Sequence, residues 1–293
     1  MVKKIFFAVQ LWGTESALIY LFKKIEELGF DAAYYGDGPF NWLLDCYSVL
    51  ASASMLTSKL RIGPAVTYLE GSYRHPLATI KALFTLSLLS NNRIDARFGF
   101  IQERAREYWL KFGIELPSLK DRIERIEEAI IIMKELMNKG VASLRGKHYV
   151  VELYDFKPIA KVPLCISANK RKTIEITLKY ADIWEISYLP PNKIMEILDV
   201  YEEKLKNIEL SLETDVIIGK NELDFKKKFS EYLSMRKNQQ DFILSAIKGT
   251  PEQCIKSIEK YIKLGIKRFI LSFNEIPNTE SLELFSKEVL SSF

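Results

Sequence analysis

Two apolar runs, residues 60–67 and 94–100, flank one long apolar segment, 76–90, and that arrangement leaves the chain few folds. Pro76 suits the first turn of a helix, so the three segments read as strand, helix, strand. Strands joined by a helix of that length run parallel, because antiparallel neighbours need only a tight turn. Arg74, His75 and Glu103 fall just beyond the strand ends, where α/β folds gather their chemistry.

The rest of the chain repeats the unit. Residues 3–11 form a dense apolar strand, and a helix follows with Leu18, Leu21, Phe22, Ile25 and Leu28 on one face. Thr14 or Ser16 can cap it, and Gly29 stands where helices stop. Strand 30–36, the turn Asp37-Gly38-Pro39 and helix 43–56 come next. A helical stretch over 103–112 pauses at 113–117 and resumes at 119–138, and 146–153 can form a small hairpin. Strand 163–167, a helix ending near Tyr180, strand 182–187, helix 192–206 and strand 212–219 continue the alternation. Residues 222–247 are long enough for two helices, and a helix over 255–264, strand 267–272 and helix 280–289 complete the chain. Eight strands alternating with helices, without a linker, predict a single α/β (β/α)8 TIM barrel over 1–293, with a helical insertion at 221–248 before the last helix and strand. A doubly wound open sheet is the alternative, but no Gly-rich fingerprint follows the first strand.

Composition narrows the partners. Forty-two basic against 38 acidic residues give a net charge of +4, which speaks against nucleic acid and suits a small anionic ligand. Cys46, Cys165 and Cys254 are too scattered for a disulfide framework or a metal knuckle. The apolar start breaks at Gln10 without a cleavage site, and no stretch approaches about 18 apolar residues, so the expectation is a cytoplasmic protein that engages no membrane.

Barrel chemistry sits at the carboxyl ends of the strands. Those ends carry Trp12; Asp37 and Trp42; Val66–Tyr68 with Arg74 and His75; Gln102 and Glu103; Asn169–Thr173; and Ser187 with Tyr188. They hold carboxylates, aromatic walls and a basic helix mouth, without a thiolate–His pair or a set of metal ligands. The set suits a flat aromatic ligand bearing a phosphate, since a helix N-terminus with two or three cations is a prepared phosphate site. Each member also has a plainer use. Asp37 can simply make its turn, Glu103 can meet a helix dipole, Trp42 can be wall, His75 can hydrogen-bond its loop, and the Lys170-Arg171-Lys172 run can be a solvated face.

Leu28-Gly29-Phe30-Asp31, Arg61-Ile62-Gly63, Arg74-His75-Pro76 and the run from Thr85-Leu86 through Leu89-Ser90 to Arg93 together form an ordered pattern. Phe112-Gly113, Arg122 with Glu127, Ala181-Asp182 and Gly249-Thr250-Pro251-Glu252 extend it. In order and spacing this set resembles the bacterial luciferase-like superfamily over nearly the whole chain. The resemblance implies a barrel that binds FMN or the deazaflavin coenzyme F420 at the carboxyl ends of its strands. It further implies either hydroxylation with reduced flavin and oxygen or hydride transfer to or from F420. On the F420 pattern, Asp37 contacts the coenzyme and Ala65-Val66 is a cis-peptide back wall, with Tyr68 beside it. Trp42 follows the Asp, Glu103 is a proton donor ahead of Glu107-Tyr108, and Ala168, Asn169, Lys170, Arg171, Lys172 and Thr173 form the phosphate site.

Two departures shape the reading. Asp37-Gly38 stands where the alcohol-oxidising members carry Asp-His, and Phe100-Ile101-Gln102 replaces a Gly-rich turn. The first points to a reductase resembling the methylene-tetrahydromethanopterin reductases; the second narrows the coenzyme pocket or marks a member that has lost its cofactor. The expectation is therefore an F420-dependent oxidoreductase working reductively on a small organic substrate held by Trp12, Trp42 and Tyr188, with Asp37 and Glu103 as catalytic groups and no metal. Glu103 needs a pKa raised by partial burial for that role. The alternatives are an FMN-dependent monooxygenase served by a flavin reductase and a non-catalytic protein of the same fold. The resemblance favours a homodimer.

Overall fold

A computed structural model describes residues 5–14, 17–71, 73–237 and 239–293. The chain opens with β1 (Phe6–Leu11), α1 (Ala17–Glu27), β2 (Ala32–Tyr35), α2 (Cys46–Leu56), β3 (Arg61–Pro64), α3 (Pro76–Leu89) and β4 (Ala96–Phe98). The short α4 (Arg106–Leu110) and long α5 (Leu119–Lys139) lead to a hairpin of β5 (Ala142–Arg145) and β6 (Val150–Leu153). There follow β7 (Leu164–Ser167), α6 (Arg171–Tyr180), β8 (Ile183–Ser187), α7 (Pro191–Tyr201) and β9 (Glu209–Ile218). The insertion contributes α8 (Glu222–Met235), α9 (Gln240–Ser245) and β10 (Ile247–Gly249). The chain ends with α10 (Pro251–Lys263), β11 (Ile266–Phe273) and α11 (Glu280–Glu288).

Eight parallel strands neighbour one another in the order β3-β2-β1-β11-β9-β8-β7-β4. Among the described residues, the ring closes between β3 and β4 through two isolated bridges, Ile62–Ile94 and Thr67–Phe98. In the gap between them the carbonyl of Pro64 accepts from Arg97 Nη1 at 3.1 Å, so a side chain stands in for the missing ladder. This is the expected TIM barrel.

The differences from expectation have local causes. Helix α2 starts at Cys46 rather than Leu43, because Asp45 caps it by accepting from the Ser48 N–H. Strands β3 and β4 are shorter than the apolar runs that contain them. The helix expected from Asn192 to Lys206 tightens into a 3₁₀ turn after Tyr201. The insertion is not wholly helical: β10 adds a short parallel strand beside Val216–Ile218. The hairpin begins at Ala142 rather than Gly146. Ser16, one of the two expected caps for α1, and Lys3 and Lys4, the start of the expected first strand, lie outside the described residues.

Outward-facing strand residues such as Val9, Ala33, Ile62, Phe98, Ile166, Trp184, Leu212 and Leu271 pack against the helices in one continuous core. All three cysteines are buried free thiols. The inner face departs from the usual barrel filling of branched aliphatics. A small apolar group of Ala8, Ala32, Tyr34 and Ile270 shares it with buried Asp95, Arg97, Glu185 and Ser211. Among the described residues no helix is long and apolar enough to cross a membrane.

Candidate active site at the barrel mouth

The end of β3 forms one wall. The Ala65–Val66 peptide is cis, as the resemblance implied. Gly99 of the facing loop is obligatory there, because a Cβ on it would lie 2.4 Å from Val66 Cγ2. Over this wall the loops after β2 and β4 stack aromatic rings on one another. Phe40 lies parallel to Trp42 at 4.8 Å, Tyr108 sits 5.0 Å from Trp42, and Trp109 meets Tyr68 edge-on at 5.5 Å. Trp42 keeps about half its surface open, at 46%. Trp12, at the end of β1, is half-buried.

Asp37 is buried and fully engaged. Its carboxylate accepts from Thr67 Oγ1 at 2.8 Å and from Arg74 Nη2 at 2.7 Å and Nε at 3.2 Å. Arg74 in turn reaches Asp45 and lies over the rings of Tyr47 and Tyr73. Such a forked pair holds the two loops together and engages both carboxylate oxygens. Gly38 beside it could carry no side chain without displacing Phe40, whose ring would lie 2.5 Å from a Cβ.

Glu103 lacks the partial burial that a proton-donor role asks of it. Its side chain is 57% exposed and bridges Arg106 and Arg122, the latter at 2.8 Å. The hydrogen bond from Arg106, aided by the charge of Arg122, holds the carboxyl below its ordinary range rather than above it. A carboxylate paired twice in water is a poor acid. Glu70, completely buried under the same loop, is instead pushed up to about 7 by that burial. Glu70 accepts from the Ile101 N–H and from Arg122 Nη1, while Arg122 also donates to the Ile101 carbonyl at 2.9 Å. The bulky Phe100-Ile101-Gln102 turn is thus pinned from below, with Ile101 packed in a cluster with Trp109.

Across the mouth, α6 begins at Arg171 with Lys170 as its N-cap. Thr173 turns its hydroxyl back to the Lys170 carbonyl at 2.8 Å, and Asn169 spends its amide on the backbone of Ser187. The Ala168 carbonyl takes the indole N–H of Trp184. Arg171 and Lys172 are exposed, and Arg171 bonds its own-helix Glu175 at 3.1 Å. The helix mouth and its cations fit a phosphate, while Thr173 and Asn169 serve the loop. A small-residue wall at Ala65 and a cationic helix mouth therefore fit a phosphate-bearing ring ligand.

The insertion is fastened over the mouth. Asp215, inside β9, accepts from Tyr232 at 2.9 Å and pairs with Arg236 at 2.8 Å. Phe242 of α9 stacks on Tyr188 at 4.0 Å, under the guanidinium of Arg236. Tyr188 has φ +53°, an uncommon left-handed conformation for a side-chain-bearing residue, which aims its ring at this contact. Cavities of 480 and 330 Å³ flank the insertion, and neither is lined by a residue expected from the sequence.

Beneath the mouth lies a charged floor that strand-end reasoning missed. Arg97 pairs with Glu185 and sits 4.0 Å from the Tyr34 ring centroid; Glu213 stands on the neighbouring strand. Lower down, Asp95 accepts from Tyr34 and is held by Arg61 and Arg268. The signal was available as charged residues alternating with apolar ones inside strands, at positions that must face the axis. Elsewhere, Asp121, Glu124 and His148 come within 4.8 Å of one another, a grouping the sequence did not suggest. Lys147 Nζ already bonds both carboxylates, at 2.7 and 2.9 Å.

Known proteins bear on this geometry. Residues 13–268 match the family described as Luciferase-like monooxygenase. An F420-dependent glucose-6-phosphate dehydrogenase of Amycolatopsis mediterranei is 28% identical over 156 residues, covering 50% of this chain and 45% of that protein. The match thus spans less than half the length of that relative. A 5,10-methylenetetrahydromethanopterin reductase of Methanopyrus kandleri is 20% identical over 335 aligned positions, covering 94% of each chain. The structure of an F420-dependent secondary alcohol dehydrogenase superposes with a TM-score of 0.83 at 16% identity, covering 98% of each chain. With a match across most of its length, the chain belongs to the luciferase-like monooxygenase family.

Proposed function

We propose that this protein is an F420-dependent oxidoreductase acting reductively on a small organic substrate at the carboxyl ends of the barrel strands. The observation that carries it is the pairing, across one mouth, of an aromatic wall (Phe40, Trp42, Tyr108) with the cationic start of α6. Relatives named for F420 dependence support F420 as its ligand. When bound, the coenzyme supplies hydride chemistry. The chain's residues hold and orient it: Ala65 and Val66 back the ring, with Tyr68 beside them. Lys170, Arg171, Lys172 and the free N–H groups of α6 take the phosphate. Trp12, Trp42 and Tyr188 border the substrate. The filled space at Gly38 and the locked carboxylate of Asp37 support reduction over alcohol oxidation, since the base such oxidation needs has no place beside Asp37. The family match itself favours a second reading, an FMN-dependent monooxygenase.

Separate titrations of the purified protein with F420 and FMN, followed by fluorescence, test the proposal. Saturable binding of F420 without binding of FMN is expected; the reverse result moves the protein to the monooxygenase reading, and binding of neither removes both. The double variant Arg171→Ala/Lys172→Ala is expected to weaken F420 binding about tenfold, the scale of one charge-assisted hydrogen bond. An unchanged affinity would place the phosphate elsewhere.

A further inference from the structure

We infer that Glu213, on the inner face of β9, is the proton donor of the barrel mouth, the role expected of Glu103. The inference deepens the reductase reading and rests on it. Two carboxylates, Glu185 and Glu213, project from adjacent strands into an interior that also holds Arg97. In the ladder Glu185 lies opposite Ser211 and Ser187 opposite Glu213, so Glu213 stands one pleat nearer the mouth. The Arg97 guanidinium is committed to Glu185 and to the Pro64 carbonyl. Among the described residues no cation pairs with the carboxylate of Glu213. Two carboxyls thus face one cation, and that cation is spent on Glu185. Glu185 is completely buried and keeps one oxygen, Oε1, without a partner. Glu213 is only partly buried, so its carboxyl is open to a ligand in the mouth.

The neighbours of Glu213 place it against the proposed seat. It lies opposite Ser187 in the ladder, and its backbone carbonyl accepts from the N–H of Tyr188 at 2.9 Å. Asp215 on the same strand is paired with Arg236, the residue just past α8. The charged and titratable groups around it are therefore Glu185, Arg97, Asp215, Tyr68, Tyr188 and Arg236. Burial, and then the charge of Glu185, push the Glu213 carboxyl up to about 7, which suits an acid working near neutrality.

The step balances simply. With reduced F420 bound, an electrophilic carbon double-bonded to a heteroatom would take its hydride: a C–H bond of the coenzyme breaks, the substrate C–H bond forms, the coenzyme is oxidised and the substrate reduced. The π electrons move to the heteroatom, which takes the proton from Glu213. The carboxylate regains a proton from water.

Infrared titration of the full chain without coenzyme, joined to F420 binding and turnover, tests this. A protonated-carboxyl band disappearing near pH 7 is expected, with one component missing in Glu213→Gln and a separate one in Glu70→Gln. In turnover with reduced F420, Glu213→Gln is expected to lower kcat by about 10²–10⁴-fold and to remove the fall in activity above neutrality. Glu103→Gln is expected to leave that pH profile in place. If the wild-type band has no Glu213 component, or Glu213→Gln keeps the profile, the donor is another group even though F420 binds. If the band titrates as expected but F420 binds at no pH, the reductase reading fails and the donor role falls with it. Circular dichroism of the variant separates a lost proton from a lost fold.

Discussion

Arg97→Met is expected to lower the unfolding free energy by about 3–5 kcal/mol, the range for stripping one partner from a buried ion pair. Arg97 and Glu185 are both shielded from solvent, so the loss strands a carboxylate in the barrel interior next to Glu213. The substitution also removes the donor to the Pro64 carbonyl at the gap between β3 and β4. Replacing both partners, Arg97→Met with Glu185→Leu, is expected to recover most of the loss, since well-packed apolar pairs often match a buried ion pair. Urea midpoints at constant m-value measure both variants. A single-variant loss under about 1 kcal/mol, or a double variant as unstable as the two singles summed, would show that the pair holds little of the barrel together.

The second large effect is a decline in stability between pH 5 and 8 that depends on Glu70. Burial raises its folded carboxyl from 4.5 to about 7. The folded state then binds this proton more tightly than the unfolded state. The stability it contributes is complete below about pH 4.5 and is lost as the pH rises through 7. At about 1.4 kcal/mol per unit, the full change is about 3 kcal/mol. Glu70→Gln removes the titration while keeping an acceptor for the Ile101 N–H, so its curve over this window is expected to be flatter by that amount. Asp121, held near 2 by Lys147 and Ser118, acts only under more acidic conditions, and Glu213, also pushed up to about 7, adds the same slope to both curves, so their difference reports Glu70. Parallel curves for wild type and variant would mean that Glu70 is ionised in both states.

The barrel was legible because strands with apolar outer faces alternate with amphipathic helices, and each barrel strand lies within or close to its expected run. The Ala65–Val66 wall and the α6 mouth were legible through the ordered motifs. The roles of the carboxylates were not, because their fate depends on partners distant in sequence. Asp37 meets Arg74, 37 residues away, and Glu103 meets Arg122 across a loop. Glu70 sits in a loop with no periodicity to mark it as buried. The inward charges of β4, β8 and β9 were hidden by the apolar residues on either side of them.

The gap between β3 and β4 has a consequence for how the ring opens. Backbone bonds cross that seam at the N–H groups of Ile62 and Asp95 on one side and of Thr67 and Gly99 on the other. Among the described residues every other adjoining pair in the ring is joined by a ladder of three or more residue pairs, with one register shift between β9 and β11 at Ile266/Arg268. The clasp of the bracelet is therefore here, and these four amides are the ones whose deuterium uptake should lead the ring. A ring ligand resting on Ala65 and Val66 would lie across the clasp itself, so filling the mouth and fastening the barrel would be a single event, visible as slowed exchange at those amides.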